Sequence, residues 1–105
     1  MQEDRTYYVY ILGSISGTLY IGVTGNLRRR MWQHKNHIFE GFTAEYGVGR
    51  LLYREKFGSI DRAIGREKQL KGWLRRKKVA FIERDNPQWK DPAGDWFDEE
   101  DAIQV

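Results

Sequence analysis

Runs of apolar residues with two different spacings alternate along this chain and predict a small fold of strands and helices. Residues 7–12 are apolar or aromatic throughout, which is typical of a strand at the centre of a sheet. A turn-rich stretch separates them from a second apolar run at 18–23, so the two segments predict an antiparallel hairpin. Residues 50–57, with mixed alternation, predict a third strand.

The first helix is predicted directly after the hairpin, from residue 27 to about residue 35. Asn26 is a suitable N-cap because its side-chain oxygen can accept from free backbone N–H groups. Leu27, Arg30, Met31 and His34 follow at i, i+3, i+4 and i+7, so they share one helical face. That face combines two apolar side chains with a cation and an imidazole, which indicates a site rather than plain core.

A second helix is predicted after Ser59, with an apolar stripe that ends in a carboxylate. Ile60, Ala63, Ile64 and Glu67 stand at i, i+3, i+4 and i+7. A carboxylate on an apolar stripe is costly unless it is paired or binds a cation. On pattern alone, the more ordinary interpretation is that Glu67 lies at the edge of the stripe and pairs with a lysine or arginine.

Gly72 separates this helix from a third, predicted over residues 74–84. The predicted class is therefore α+β, a small three-stranded and mostly antiparallel sheet flanked by helices in the order β-β-α-β-α-α. We expect one domain over residues 1–92 and an acidic C-terminal tail over 93–105, where Asp95 to Asp101 contains five acidic residues and no basic one.

Two tripeptides carry a family resemblance. Tyr8-Val9-Tyr10 and Tyr20-Ile21-Gly22, followed by Arg30 eight positions after the second glycine, resemble the GIY-YIG nuclease family. Tyr8 stands where that family has its first glycine. The stretch REKQLKGWLRRKK, which contains Glu67, resembles the helical region of the small stand-alone bacterial branch of this family. The resemblance runs from about residue 7 to about residue 89.

The resemblance implies that Glu67 binds a metal ion, and the residue types suggest roles for the others. Arg30 offers a planar, permanently charged group for phosphate oxygens. Tyr20 is the best candidate for the general base, while Tyr10 would hold the water or the phosphate. His34 would accept the proton or orient the tyrosine. The chain has no cysteine and two histidines, so a metal needs carboxylate ligands, which favours one Mg²⁺ or Mn²⁺ ion.

Each of these residues also has a plain structural explanation. Tyr10 and Tyr20 are of a type that is common in half-buried strands, and His34 can simply pack beside Met31. Asn86 matches a late asparagine of the family in type and approximate place.

The charge distribution indicates a polyanionic partner. The net charge is +3, but residues 28–84 hold sixteen lysines and arginines against six acidic residues. The residues predicted to contact nucleic acid are Arg28, Arg75, Arg76, Lys77 and Lys78.

These observations predict a metal-dependent endonuclease that hydrolyses DNA phosphodiester bonds. We expect it to be structure-directed or weakly sequence-specific, with branched or nicked DNA as substrate, a role in DNA repair or recombination, and targeting by a partner protein. The main alternative is a non-catalytic nucleic-acid-binding module with the same fold, and the acidic tail leaves a protein-interaction domain open. No apolar run is long enough to span a membrane, which fits a cytoplasmic location.

Overall fold

The computed structural model describes residues 5–36, 49–94 and 96. Its elements in chain order are β1 (Tyr7–Gly13), β2 (Leu19–Thr24), α1 (Leu27–Lys35), β3 (Arg50–Phe57), α2 (Ile60–Lys71) and α3 (Arg75–Asp85). The predicted order β-β-α-β-α-α and the α+β class are confirmed. Residues 37–48, between α1 and β3, and most of the expected acidic tail lie outside the described residues.

The three strands form one antiparallel sheet with β1 in the middle, in the order β2-β1-β3. The central position explains the unbroken apolar run of β1, because both faces of a middle strand are covered. Tyr10 lies directly opposite Gly22, and Leu12 lies directly opposite Tyr20. The two tyrosines of the family motifs therefore occupy adjacent strands and the same face of the sheet.

Alternation along β1 divides the core into two clusters, one on each face. The first cluster joins the sheet to α2 and α3 through Val9, Ile11, Ile21, Leu52, Ala63, Leu70 and Ile82. The second joins it to α1 and to the segment after α3 through Tyr10, Leu12, Leu27, Met31, Leu51 and Ala93. We refer to them as the α2/α3-side cluster and the α1-side cluster. The motif tyrosines belong to the α1 side.

A β-bulge in β3 adjusts how this strand contributes to the two clusters. Ile11 lies opposite Tyr53, whereas Leu12 lies opposite Leu51, so Leu52 is an extra residue on β3. Strict alternation would send Leu52 and Tyr53 to opposite faces. With the bulge, both pack on the α2/α3 side.

The first two helices begin where the sequence predicts, and the third begins one residue later, at Arg75. The side chain of Asn26 accepts a hydrogen bond from the backbone N–H of Arg29 at 3.0 Å, and Ser59 accepts from Arg62 at 3.5 Å. Gly72 ends α2. None of the helices in the described part of the chain is long and apolar enough to cross a membrane.

The segment after α3 returns to the α1 side and is held by Asp91. The Asp91 carboxylate accepts from the backbone N–H of Leu51 at 3.1 Å and of Ala93 at 3.0 Å, and it pairs with Lys35. Ala93 is fully buried in the α1-side cluster. The first residues after position 92 thus pack on the domain, and the predicted boundary there stays a prediction.

Two glycines offer a matched test of this packing. A Cβ added at Gly22 would lie 2.5 Å from Oη and 2.6 Å from Cζ of Tyr10, whose ring is fully buried and has no room to retreat. Gly22→Ala should therefore lower the free energy of unfolding by about 1–3 kcal/mol. Gly65→Ala, in the middle of α2 where a Cβ meets nothing within 4 Å, should raise it by up to about 1 kcal/mol. Urea unfolding of both variants measures this, and equal effects would contradict the close packing at Gly22.

Candidate active site

Tyr10 is the centre of a small polar cluster inside the α1-side cluster. Its ring is fully buried, and its Oη lies 3.2 Å from Nε2 of His34 and 3.5 Å from Nη1 of Arg30. Leu27 and Met31 on the same helical face are buried and seat α1 against the sheet. Arg30 and His34, on the shared face predicted for α1, thus lie beside Tyr10.

The glycine of the second tripeptide makes room for this arrangement. Gly22 is directly opposite Tyr10 in the hairpin, and the Tyr10 ring lies across the place where a Cβ would stand. A side chain at position 22 would collide with the ring and displace it. A glycine inside a strand often marks such a close approach, which is the signal visible in the sequence.

The direction of the hydrogen bonds follows from the chemistry of the three side chains. An arginine only donates, so the Tyr10 oxygen accepts from Arg30. We assign the single hydroxyl proton of Tyr10 to Nε2 of His34, which then accepts as a neutral imidazole. The distance of 3.5 Å between Tyr10 and Arg30 is long for a hydrogen bond, whereas the 3.2 Å between Tyr10 and His34 is within the ordinary range for a bond involving nitrogen.

Burial shifts the pKa values of both Tyr10 and His34 toward their neutral forms. Desolvation, helped by the nearby Tyr20, raises the pKa of Tyr10 to about 12. Desolvation also lowers the pKa of His34 to about 4, and the positive charge of Arg30 acts in the same direction. At neutral pH Tyr10 therefore keeps its proton, and His34 is an uncharged hydrogen-bond acceptor.

Tyr20 completes the group on its more open side. Its ring centroid lies 6.3 Å from that of Tyr10 and 5.5 Å from that of His34. Unlike Tyr10, it is only half-buried. Of the two motif tyrosines, Tyr20 is the one that a substrate in solution can reach.

Glu67 lies on α2 and has a weak electrostatic effect on Tyr10. Its negative charge contributes to the raised pKa of Tyr10, as the smallest of five contributions. Its side chain is 19% exposed and forms an ion pair with Lys71 at 3.2 Å, one turn further along the helix. The ordinary pairing considered for Glu67 from the sequence is therefore present, alongside its electrostatic proximity to Tyr10.

The residues fit a lightly ligated cation better than a closed metal site. The described part of the chain has no group of three or more His, Cys, Asp or Glu side chains that could hold a metal ion. Glu67 supplies a hard carboxylate oxygen with solvent access, which suits a divalent ion whose other ligands are water and phosphate oxygens. Such an ion would compete with Lys71 for the carboxylate.

The five predicted nucleic-acid contacts lie on two surfaces. Arg28 belongs to α1, on one side of the sheet, and donates to the backbone carbonyl of Trp96 at 2.6 Å. The basic run from Arg75 to Lys78 begins α3, on the other side. Within it, Lys77 covers the ring of Trp73 at 4.3 Å. The structure does not bring Arg28 and this run together.

The side chain of Asn86 has a clear structural role. Its side-chain amide donates to the carbonyl of Lys90 at 2.8 Å and to that of Leu52 at 3.3 Å, and its oxygen accepts from the backbone N–H of Lys90 at 2.9 Å. These bonds hold the turn after α3 against β3. The catalytic relevance of Asn86 stays a prediction.

Two aromatic residues beside the site were not assigned to it from the sequence. Tyr8, at the position of the family's first glycine, packs half-buried against the α1-side cluster. Trp96 packs on the same cluster, with the guanidinium of Arg54 5.5 Å from its ring. The sequence does contain a signal for Trp96, because it is an aromatic residue within an acidic segment, and such a residue favours packing on the domain.

Comparison with known proteins places this geometry in a family. A model of the GIY-YIG catalytic domain matches residues 6–80, a span that includes Tyr10, Tyr20, Arg30, His34 and Glu67. The chain belongs to the GIY-YIG family. Its match also covers all three strands and the whole of α2.

The relatives are small proteins of similar length. A UPF0213 protein of Bacillus pumilus is 32% identical over 81 residues, which cover 77% of this chain and 83% of that protein. A UPF0213 protein of Natronomonas pharaonis is 38% identical over 80 residues, which cover 72% of this chain and 89% of that protein. The solution NMR structure of a UPF0213 protein from Bacillus halodurans superposes with a TM-score of 0.54 at 27% identity and covers 86% of this chain and 97% of its own. The similarity supports the small stand-alone bacterial branch of the GIY-YIG family, and the name UPF0213 specifies no reaction.

The low pKa of His34 makes a testable prediction about stability and pH. The unfolded chain binds a proton at His34 near the ordinary pKa of about 6.5, whereas the folded GIY-YIG domain resists protonation down to about 4. Stability should therefore fall as pH decreases through this window, by up to about 3 kcal/mol. His34→Gln, which keeps an acceptor for Tyr10, should remove this part of the pH dependence. Urea unfolding of both proteins between pH 7.5 and pH 5 tests it, and parallel curves would show that His34 is not buried in its neutral form.

Proposed function

We propose that this GIY-YIG protein is a divalent-metal-dependent endonuclease that hydrolyses phosphodiester bonds of DNA. The observation that carries the proposal is the grouping of Tyr10, His34 and Arg30 beside the accessible Tyr20, with the charge of Glu67 close to Tyr10. A folding core gains little from so many polar groups at one place, because burying them costs free energy. A reaction that handles a proton and a negative charge needs all of them.

Tyr20 is the proposed general base. In its phenolate form it removes a proton from the attacking water, the water oxygen bonds to phosphorus, and the bond from phosphorus to the leaving sugar oxygen breaks. Tyr10 is unsuitable for this role because it is buried and its pKa is raised to about 12.

Arg30 is proposed to bind the non-bridging oxygens of the phosphate. Its planar guanidinium matches two of these oxygens and stabilises the charge that develops on them. Tyr10 and His34 act as positioning residues, since their hydrogen bond joins the centre of the sheet to α1 and orients the face that carries Arg30. This division of roles explains why Tyr10 and His34 are buried while Arg30 and Tyr20 are only half-buried.

Glu67 is proposed to hold one Mg²⁺ or Mn²⁺ ion by its carboxylate. When bound there, the ion would supply Lewis-acid stabilisation of the phosphate and of the leaving oxygen. The half-buried carboxylate and its electrostatic effect on Tyr10 support this role. Lys71 then serves as a counter-charge for Glu67 in the metal-free protein.

The proposed substrate is DNA with a structural irregularity, such as a nick or a branch. The cations of α1 and of α3 attract the phosphate backbone without regard to sequence, because charge neutralisation does not distinguish bases. Weak sequence preference therefore follows from these surfaces. A role in DNA repair or recombination, with targeting by a partner protein, belongs to the same proposal.

Tyr20→Phe tests the general base. The variant removes one oxygen and keeps the ring, so the fold should lose no more than about 1 kcal/mol. Cleavage of nicked or branched DNA in Mg²⁺ should fall by about 10²-fold or more, and the rise of rate with pH should flatten. Tyr10→Phe is the matched control and should cost less activity. Wild-type rates and an unchanged pH profile for Tyr20→Phe would assign the base elsewhere.

Glu67→Gln tests the metal ligand and separates it from the ion pair with Lys71. The variant should lose cleavage in Mg²⁺ or Mn²⁺ while it binds DNA as well as the wild type or better, because one negative charge is removed. Lys71→Met breaks the same ion pair from the other side and should leave cleavage within a few-fold of wild type. If both variants lose activity equally, the ion pair itself matters and Glu67 is not a ligand.

The Glu67–Lys71 ion pair favours one alternative function, a non-catalytic nucleic-acid-binding module. In that case the carboxylate is already satisfied and needs no metal. Such a module would bind DNA with strong salt dependence and would leave every DNA structure uncut in Mg²⁺ and in Mn²⁺. A panel of intact, nicked and branched DNA with each ion decides between the two.

A further inference from the structure

Two apolar side chains protrude from the surface far more than the others in the described part of the chain. Ile15 is 89% exposed and Leu74 is 67% exposed, whereas Ile60 and Ile64 reach 39% and 37%. Single exposed apolar residues are common and need no explanation. These two differ from isolated cases because Arg75, which directly follows Leu74, reaches the turn that carries Ile15.

Ile15 protrudes from a turn that is fixed by hydrogen bonds. In the β1–β2 turn, Ser14 donates its backbone N–H to the carbonyl of Thr18 at 3.0 Å, and its carbonyl accepts from Gly17 at 3.0 Å. The hydroxyl of Ser14 accepts from the N–H of Thr18 at 3.0 Å, and Ser14 is 5% exposed. Gly17 has a φ of 96°, a conformation that glycine adopts at little cost. Ile15 is thus held outward by a rigid turn.

The start of α3 meets the same turn. A guanidinium nitrogen of Arg75 lies 2.9 Å from the place where a Cβ on Gly17 would stand. Leu74 directly precedes Arg75 and is the N-cap of α3. We call the surface formed by Ile15, Leu74 and Arg75 the turn–helix corner. The turn that carries Ile15 leads directly into β2, the strand of Tyr20.

The charge around the turn–helix corner decides what kind of partner it suits. Arg75 opens a run of four consecutive cations, and the first turn of α3 contains no acidic residue. An apolar protein surface gains nothing from four adjacent cations, whereas the phosphates of a nucleic acid do. Apolar side chains contact nucleic acids mainly by inserting at base steps that are open or easily unstacked.

We propose that the turn–helix corner recognises DNA at a break in base stacking, with Ile15 and Leu74 against exposed base faces and Arg75 on a neighbouring phosphate. The inference rests on the proposed nuclease function and supplies the structural preference that this function needs. An intact duplex hides its base faces, whereas a nick, flap or overhang presents one.

Binding measured without cleavage tests the proposal. The full chain is titrated in EDTA against three fluorescent probes of equal length: an intact duplex, the same duplex with a nick, and the same duplex with a single-stranded flap. The variants are Ile15→Ser, Leu74→Ser and their combination. The matched control is Ile60→Ser. Ile60 is also exposed, but it begins α2, about 16 Å along the helix from Lys71, the residue at which α2 ends on the way to Leu74.

The wild type is expected to bind the nicked and flapped probes about tenfold more tightly than the intact duplex. The double variant should lose most of this preference while it keeps its affinity for the intact duplex and its salt dependence. Ile60→Ser should behave as the wild type. A 2-aminopurine base placed at the nick should brighten on binding of the wild type and not of the double variant.

Two outcomes would overturn the inference. In one, the double variant discriminates between the probes as well as the wild type does, or weakens binding to all three equally. In the other, the wild type binds none of the probes, and the proposed function fails with it. If the wild type binds and cuts DNA with no dependence on Ile15 and Leu74, only the present inference fails, and a thermal melt of each variant excludes unfolding as the cause.

Discussion

The structure depends on the placement of one aromatic ring, that of Tyr10, at the centre of the sheet. The ring lies across Gly22, is enclosed by the α1-side cluster and presents its hydroxyl to His34. Burial of a ring with a polar end is favourable only when that end finds a partner. The partner is His34 of α1, so the Tyr10 hydroxyl has its hydrogen bond only when α1 is packed in its observed position.

The same burial that fixes the fold also divides the chemical roles. Tyr10 and His34 are deep enough for desolvation to hold both in their neutral forms, which makes them dependable hydrogen-bonding groups and poor sources of charge. Arg30 and Tyr20 share the cluster but are half-buried, so they remain open to a substrate. A gradient of burial across four side chains thus separates the two proposed positioning residues from the two proposed to act on the phosphate.

The basic residues, unlike those of the site, are not grouped on one face of the sheet. Arg28 and the run at the start of α3 lie on opposite sides of the sheet, because α1 and α3 pack on opposite faces. On the α1 side, the carbonyl of Trp96 engages Arg28 and its ring engages Arg54. On the α3 side, the run begins beside the β1–β2 turn. Cations therefore lie on both sides of the sheet.

The sequence by itself determined the secondary structure and two local pairings, Tyr10 with Tyr20 on the sheet and Arg30 with His34 on α1. Local rules suffice for these: alternation in a hairpin places both tyrosines on one face, and a spacing of four places Arg30 and His34 together. Only the tertiary structure decided the neighbours of Glu67, the bonds of Asn86 to β3, and the separation of Arg28 from the α3 run. These depend on which faces of the sheet the helices cover, and the pKa shifts depend on how deeply each group is enclosed. Such properties arise from contacts between residues far apart in the chain, which periodicity does not encode.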